Sequence, residues 1–182
     1  MDEYVDILDE QGAPTGKTTL KSEAHRKGLF HPTVHVWFYT PNGKVLIQQR
    51  SSNKDTHPSL WDVSVAGHLG AGENIISGAL REVKEEIGLE VTPADLEKIG
   101  VFKSVHIHSK DLADCEFHHS FIAPLKRELG SLKKQDSEVV ALKLIPLIQF
   151  AEETWGLARL QKYVPHSPDY YQAVTRAIKS KL

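Results

Sequence analysis

A single cysteine, Cys115, among 182 residues has no partner for an intramolecular disulfide, so no covalent cross-link supports the fold. No apolar run approaches the roughly 18 residues that a membrane-spanning helix needs, which argues against a membrane partner. The opening Met1-Asp2-Glu3-Tyr4 lacks the basic region of a secretory signal. An excess of positive charge is also missing. The formal net charge is −2 and the pI about 6.5, which removes the electrostatic footprint of a nonspecific nucleic-acid binder. Internal repeats, low-complexity tracts and long linkers are absent too. Together these absences predict one cytoplasmic domain over residues 1–182, large enough to bury about 70 % of its unfolded surface. They leave the oligomeric state open, with a homodimer among the alternatives.

What is present concentrates between Gly67 and Leu89. A glycine-rich loop (Gly67, Gly70, Gly72) runs into a stretch carrying Glu82, Glu85 and Glu86. Asn74 suits a helix N-cap. Ile76, Leu80, Val83 and Ile87 then recur at four, three and four residues, the spacing of one apolar helical stripe. At about 100° per residue, the three glutamates fall on an adjoining arc. Gly88 suits a left-handed cap. Like charges at i,i+4 cost an isolated helix a few tenths of a kcal/mol, and a hard divalent cation reverses that sign. Mg²⁺ takes oxygen ligands, commonly one or two carboxylates plus substrate phosphates. Arg81, four residues before Glu85, can orient its carboxylate. A solvated acidic face is the competing reading of Glu-x-x-Glu-Glu taken alone.

The whole stretch reads Gly67-x5-Glu73-x7-Arg81-Glu82-Val83-x-Glu85-Glu86-x-Gly88-Leu89. It resembles the Nudix box with every fixed position present. The resemblance implies an α/β fold, an α/β/α sandwich around a mixed β-sheet. It also implies Mg²⁺- or Mn²⁺-dependent attack of water on a small-molecule diphosphate, in most members a nucleoside diphosphate derivative. Within it Glu82, Glu85 and Glu86 hold metal together with a backbone carbonyl from the Ala66-Gly67 turn, and Glu73 supports the loop and helix. Glu82 and Glu116 are the two candidates for the general base, with Glu82 preferred.

Elsewhere the patterning predicts further elements. Residues 4–9 read as a short strand, followed by a turn punctuated by Gly12, Pro14 and Gly16. Leu20 to Lys27 suit one or two helical turns ending at Gly28, with Lys21 and His25 on one face. Thr33 to Tyr39 alternates, Val34, Val36 and Phe38 against His35, Trp37 and Tyr39. The turn Pro41-Asn42-Gly43 predicts a hairpin with Lys44 to Arg50. Arg50 and Lys54, at the end of that strand, are two cations suited to a phosphate, or to a solvated loop. Leu60 to Ala66, Ile99 to Ile107, Glu116 to Ala123 and Glu138 to Ile145 are strand candidates, with a polar loop at 108–114. A C-terminal helical extension, about 146–182, holds helices near 146–153 and 168–181. Tyr171, Val174 and Ile178 in the last helix read as core. Trp37, Tyr39 and Trp155 are either ligand-stacking or packing residues.

Ten histidines are many for this length. His25, His31, His68, Asp114 and Glu116 are chemically suited to a metal, but they lie on separate segments and spacing alone does not gather them. A second resemblance does. Lys21, His25, Phe30-His31, Arg50-x3-Lys54 and Trp61-x-x-Ser64-Val65-Ala66-Gly67-His68 look like the isopentenyl diphosphate isomerase branch of the Nudix superfamily. That resemblance implies a second metal set at His25, His31, His68, Asp114 and Glu116, with Lys21, Arg50 and Lys54 on the substrate diphosphate. The isomerase's acid/base cysteine is replaced by Ala66, which has no transferable proton. The expected activity is therefore that of a Nudix pyrophosphohydrolase, with an isomerase-like enzyme or a non-catalytic diphosphate-binding domain as alternatives.

Overall fold

A computed structural model of the chain describes residues 2–155 and 161–182. Its centre is a strand flanked on both sides by distant segments. Strand β3 (His31–Tyr39) runs parallel to β8 (Leu112–Pro124), in register from His31↔Glu116 to Tyr39↔Pro124. On its other side β3 is antiparallel to β6 (Val65–His68), with Thr33 opposite His68. Strand β7 (Glu97–Ser109) pairs antiparallel with β8 and forms the edge. Strand β4 (Lys44–Arg50) is hydrogen-bonded to β9 (Val139–Pro146) and to the short β5 (Trp61–Asp62). A separate ribbon joins β1 (Tyr4–Leu8) to β2 (Pro14–Leu20).

Helices cover both faces of the mixed sheet. Helix α2 (Ile75–Ile87) packs Ala79, Val83 and Ile87 on Val34, Val36 and Phe38. Helices α3 (Leu147–Thr154) and α4 (Pro168–Lys179) pack Phe150, Tyr171, Val174 and Ile178 on Trp37, Val45 and Ile47. The alternation along β3 thus separates two cores, and each fully buried aliphatic side chain contributes roughly 1.5–3 kcal/mol. This is the α/β/α arrangement that the resemblance implies. No helix among the described residues is long and apolar enough to cross a membrane.

The caps of α2 form as their residue types dictate. Asn74 Oδ1 accepts from the amides of Ile76 at 2.9 Å and Ser77 at 3.3 Å, and Gly88 closes the helix at φ 66°. Helix α1 (Lys21–Lys27) ends the same way at Gly28, φ 60°.

Four expectations change. The 33–39/44–50 hairpin touches in register only at Tyr39↔Val45; beyond the turn its strands splay and find other partners. The buried Ser64 bridges that gap, accepting from the Phe38 amide at 2.9 Å and donating to the Leu46 carbonyl at 2.5 Å. The 60–66 stretch breaks into β5 and β6 around this serine. Residues 108–114 are no open loop but the tip of the tight β7–β8 hairpin. Pro14 and Gly16, expected in a turn, and Leu20, expected to open a helix, belong to strand β2.

Ser64→Ala removes both buried hydrogen bonds and leaves the Phe38 amide without its acceptor. We expect a loss of about 1–3 kcal/mol, read from urea denaturation midpoints. An unchanged midpoint would show that the hydroxyl does not bridge the strands.

Candidate functional site

The acidic side of α2 faces inward onto β6. Its organiser is Arg81. The guanidinium donates to Glu73 through Nε and Nη2 at 2.8 Å each, to Glu82 at 2.8 Å, to Glu85 at 3.1 Å and to the His68 carbonyl at 3.0 Å. Glu73 also accepts from the Gly70 amide at 2.9 Å, so it ties loop to helix as expected. Glu85 is half exposed, whereas Glu82 is mostly covered.

Glu86 is the most deeply placed of the three acids, with 5 % exposure. Its Oε2 accepts from Gln48 Nε2 at 3.1 Å and from the Ala66 amide at 3.3 Å. Burial, reinforced by the neighbouring Glu82 charge, pushes its carboxyl up to about 8. Burial also raises Glu82 against the pull of Arg81. Two desolvated carboxylates side by side thus lack enough positive charge to keep both ionised easily. An all-oxygen donor set short of a cation is the chemistry that a hard divalent ion satisfies. Gly67 makes the approach possible: a Cβ there would stand 1.9 Å from Glu82 Cδ. Gly67 and Ala66 belong to strand β6 rather than to a turn.

Lys21, Arg50 and Lys54 line the same cavity of about 290 Å³ as Glu82, Glu85 and Glu86. Arg50 is already held, to Asp62 Oδ2 at 3.1 Å and to the Thr56 carbonyl at 3.0 and 3.2 Å. Lys54 pairs with Glu138, and burial lowers its ammonium pKa. Asp62 and Gln48 escape a reading by motif. Their signal is a polar residue in an otherwise apolar strand, as in Val45-Leu46-Ile47-Gln48.

Adjoining the acids, four of the five residues in the second set converge. His25 Nε2 lies 3.3 Å from His31 Nε2 and 3.2 Å from His68 Nε2. Glu116 Oε1 is 3.6 Å from His31 Nε2 and 3.3 Å from His68 Nε2. The register His31↔Glu116 and Thr33↔His68 brings these residues to one end of β3, and α1 supplies His25. His31 Nδ1 faces the Leu29 carbonyl at 2.9 Å, an arrangement that fixes the tautomer and leaves Nε2 as the ligand atom. Burial, then His68 and His31, lower His25 to about 4, keeping it neutral. Burial alone would raise Glu116, but the adjoining His31 and His68 imidazoles hold its carboxyl well below the usual range. Three imidazoles and a carboxylate suit a borderline divalent ion. Asp114 stands apart from these four and is bonded to His108 at 2.9 Å.

The aromatic residues divide. Trp37 is fully buried, donates to Tyr170 Oη at 2.8 Å and packs on Phe150, so it is a core residue. Tyr39 packs at the margin of the same core, and Trp155 borders an apolar surface groove beside Ile148.

The chain matches the family model described as NUDIX domain over residues 29–166. It is 35 % identical to an uncharacterized Nudix hydrolase of Clostridium acetobutylicum over 97 % of both chains. It is 27 % identical to isopentenyl-diphosphate Delta-isomerase 2 of Photorhabdus laumondii, over 94 % of this chain and 87 % of that one. In fold it is similar to a crystal structure from Deinococcus radiodurans, with a TM-score of 0.70 at 18 % identity, covering 96 % of this chain and 98 % of that one.

The raised Glu86 has a thermodynamic consequence. A free glutamate titrates at 4.5 and the buried Glu86 at about 8, so between those limits the folded protein keeps a proton that the unfolded chain has lost. Stability of chelator-treated protein should therefore fall as pH rises through that window, by up to about 1.4 kcal/mol per pH unit. Glu86→Gln should flatten the slope. Denaturant midpoints for both proteins between about pH 5 and about pH 8 check this, and identical slopes would contradict it.

Proposed function

Since the chain belongs to the Nudix hydrolase family, whose members act on pyrophosphate bonds, we propose that it hydrolyses the diphosphate linkage of a nucleoside diphosphate derivative or related small molecule. The proposed reaction is attack of water at phosphorus, dependent on Mg²⁺ or Mn²⁺. The observation that carries this reading is the pair Glu82 and Glu86, desolvated together on α2 beside a cavity that Lys21, Arg50 and Lys54 share.

Glu82, Glu85 and Glu86 would hold the divalent ion, with Gly67 supplying a backbone oxygen. Bound there, the ion supplies charge neutralisation for the diphosphate and acidifies water. Arg81 holds Glu82 and Glu85 in place from the side. Glu82 is the proposed general base, preferred to Glu116 because the Glu116 carboxylate faces His31 and His68 instead of the α2 acids. Lys21, Arg50 and Lys54 contribute positive charge to the phosphates, Arg50 and Lys54 by exchanging a protein carboxylate for a phosphate oxygen of the ligand. His25, His31, His68 and Glu116 form a separate donor set for a second ion.

That histidine set favours one other reading, an isomerase-like reaction at carbon. Ala66 counts against it, because the group that the resemblance implies for proton transfer there is missing. Purified protein with Mg²⁺ should release phosphate or a nucleoside monophosphate from a panel of nucleoside diphosphate derivatives and prenyl diphosphates. Allylic rearrangement of a prenyl diphosphate would replace this reading with the isomerase one, and binding without turnover would leave only a binding domain. Glu86→Gln should lower the hydrolytic rate by several orders of magnitude while melting near normally in Mg²⁺ buffer, since glutamine has similar helix propensity. Full activity in that variant would exclude the metal role. His68→Ala should leave hydrolysis little changed; a collapse comparable to Glu86→Gln would place the histidine set within the reaction.

A further inference from the structure

The partner that Asp114 takes points to another site. Asp114 Oδ2 lies 2.9 Å from His108 Nε2 across the tip of the β7–β8 hairpin. His57 comes to the same place from the segment between β4 and β5, its ring 4.8 Å from that of His108 at 75°. One donor atom from each of His57, His108 and Asp114 lies within 4.8 Å of the others. Ligands about 2.0–2.2 Å from one ion stand at most about 4.4 Å apart, so small side-chain shifts suffice.

Two further observations separate this group from an ordinary histidine–aspartate hydrogen bond. Among the described residues, His57 Nε2 and Asp114 Oδ1 are both buried atoms without a hydrogen-bond partner, although buried polar atoms nearly always have one. His57 also holds φ at 47°, in the left-handed region that few non-glycine residues enter. The backbone is thus turned so as to half-bury an imidazole whose Nε2 is left unused. A cation between the three side chains answers both. His106 lies beside the group, its ring 5.1 Å from that of His57, without joining the converging atoms.

We propose that His57, His108 and Asp114 form a second transition-metal site, for a borderline divalent ion of the Zn²⁺, Co²⁺ or Ni²⁺ class, separate from the glutamates of α2 and from the His25 cluster. Two imidazoles and one carboxylate select such ions over Mg²⁺. The site also has a structural consequence. It ties the 51–60 segment, which carries Lys54 and the Thr56 carbonyl that holds Arg50, to the β7–β8 hairpin. Ion binding there would fasten the cationic wall of the cavity.

The test uses full-length protein carrying His25→Ala and His68→Ala, stripped with chelator and held in excess Mg²⁺ to occupy all-oxygen sites. Titration with Co²⁺ is followed by visible d–d absorption and by cobalt content. One equivalent should bind. Adding His57→Gln or Asp114→Asn should weaken binding by more than the roughly 10–100-fold typical of changes outside the ligand set. Zn²⁺ should also slow proteolytic cleavage within residues 51–60 in the parent and not in the His57→Gln protein. No cobalt uptake in the parent, or uptake undiminished in both added variants, overturns the site. Circular dichroism identifies any variant that fails to fold. Should the parent itself be unfolded, the same titration in the wild-type background decides: His57→Gln must lose one equivalent, and retention of all of them overturns the proposal.

Discussion

The closeness of α2 to β6 is the constraint on which the remainder depends. Helix and strand meet at Gly67, where no side chain larger than hydrogen fits beside Glu82. The apolar stripe of α2 sets that distance, because Ala79, Val83 and Ile87 are seated in the core formed with Val34, Val36 and Phe38. Hydrophobic burial therefore presses carboxylates against a strand backbone that offers Glu86 one amide, from Ala66, with the Gln48 side chain of β4 as its other donor among the described residues. Neither of these donors is a full charge. The strain is electrostatic: packing energy holds acids where water cannot solvate them, and that is the state in which a divalent ion gains most.

Arg81 keeps this arrangement from becoming general repulsion. One guanidinium serves Glu73, Glu82, Glu85 and the His68 carbonyl, so loop, helix and the end of β6 are joined through a single planar group. A lysine cannot reproduce this, because the five donors of arginine point in fixed directions. Glu86 lies outside Arg81's hydrogen bonds, and its carboxyl is raised the more strongly of the two buried acids. Next to this hard, all-oxygen set stands a softer one of imidazoles and Glu116. The two share a cavity wall at Gly67 and His68 and differ in donor chemistry.

Much of this could be read from local spacing. The caps at Asn74 and Gly88, the stripe through Val83 and Ile87, the acids beside it and the two faces of β3 all follow from periodicities of a few residues. The core role of Tyr171, Val174 and Ile178 follows in the same way. What escaped was pairing. The Pro41-Asn42-Gly43 turn signals a hairpin, and the turn does form, but β4 leaves β3 for β9 and β5 because Ser64 occupies the gap and supplies the hydrogen bonds that a direct ladder would have made. The 108–114 stretch is polar enough to pass for a loop, yet ladder hydrogen bonds with no apolar signature carry β7 and β8 through it.

By itself, then, the amino-acid order determined the acidic helix, its caps, its buried stripe and the resemblance that names its chemistry, since each rests on interactions between residues less than two helical turns apart or on a contiguous motif. Spacing could not place His31 beside Glu116 with His68 across the strand, which only the resemblance implied; the tertiary structure decided how that convergence forms, and that Asp114 turns to His108 instead. Those outcomes depend on the register of a parallel pair whose strands lie some eighty residues apart in the chain. Such a register is chosen by the summed packing of both cores, and no short stretch of sequence contains that sum.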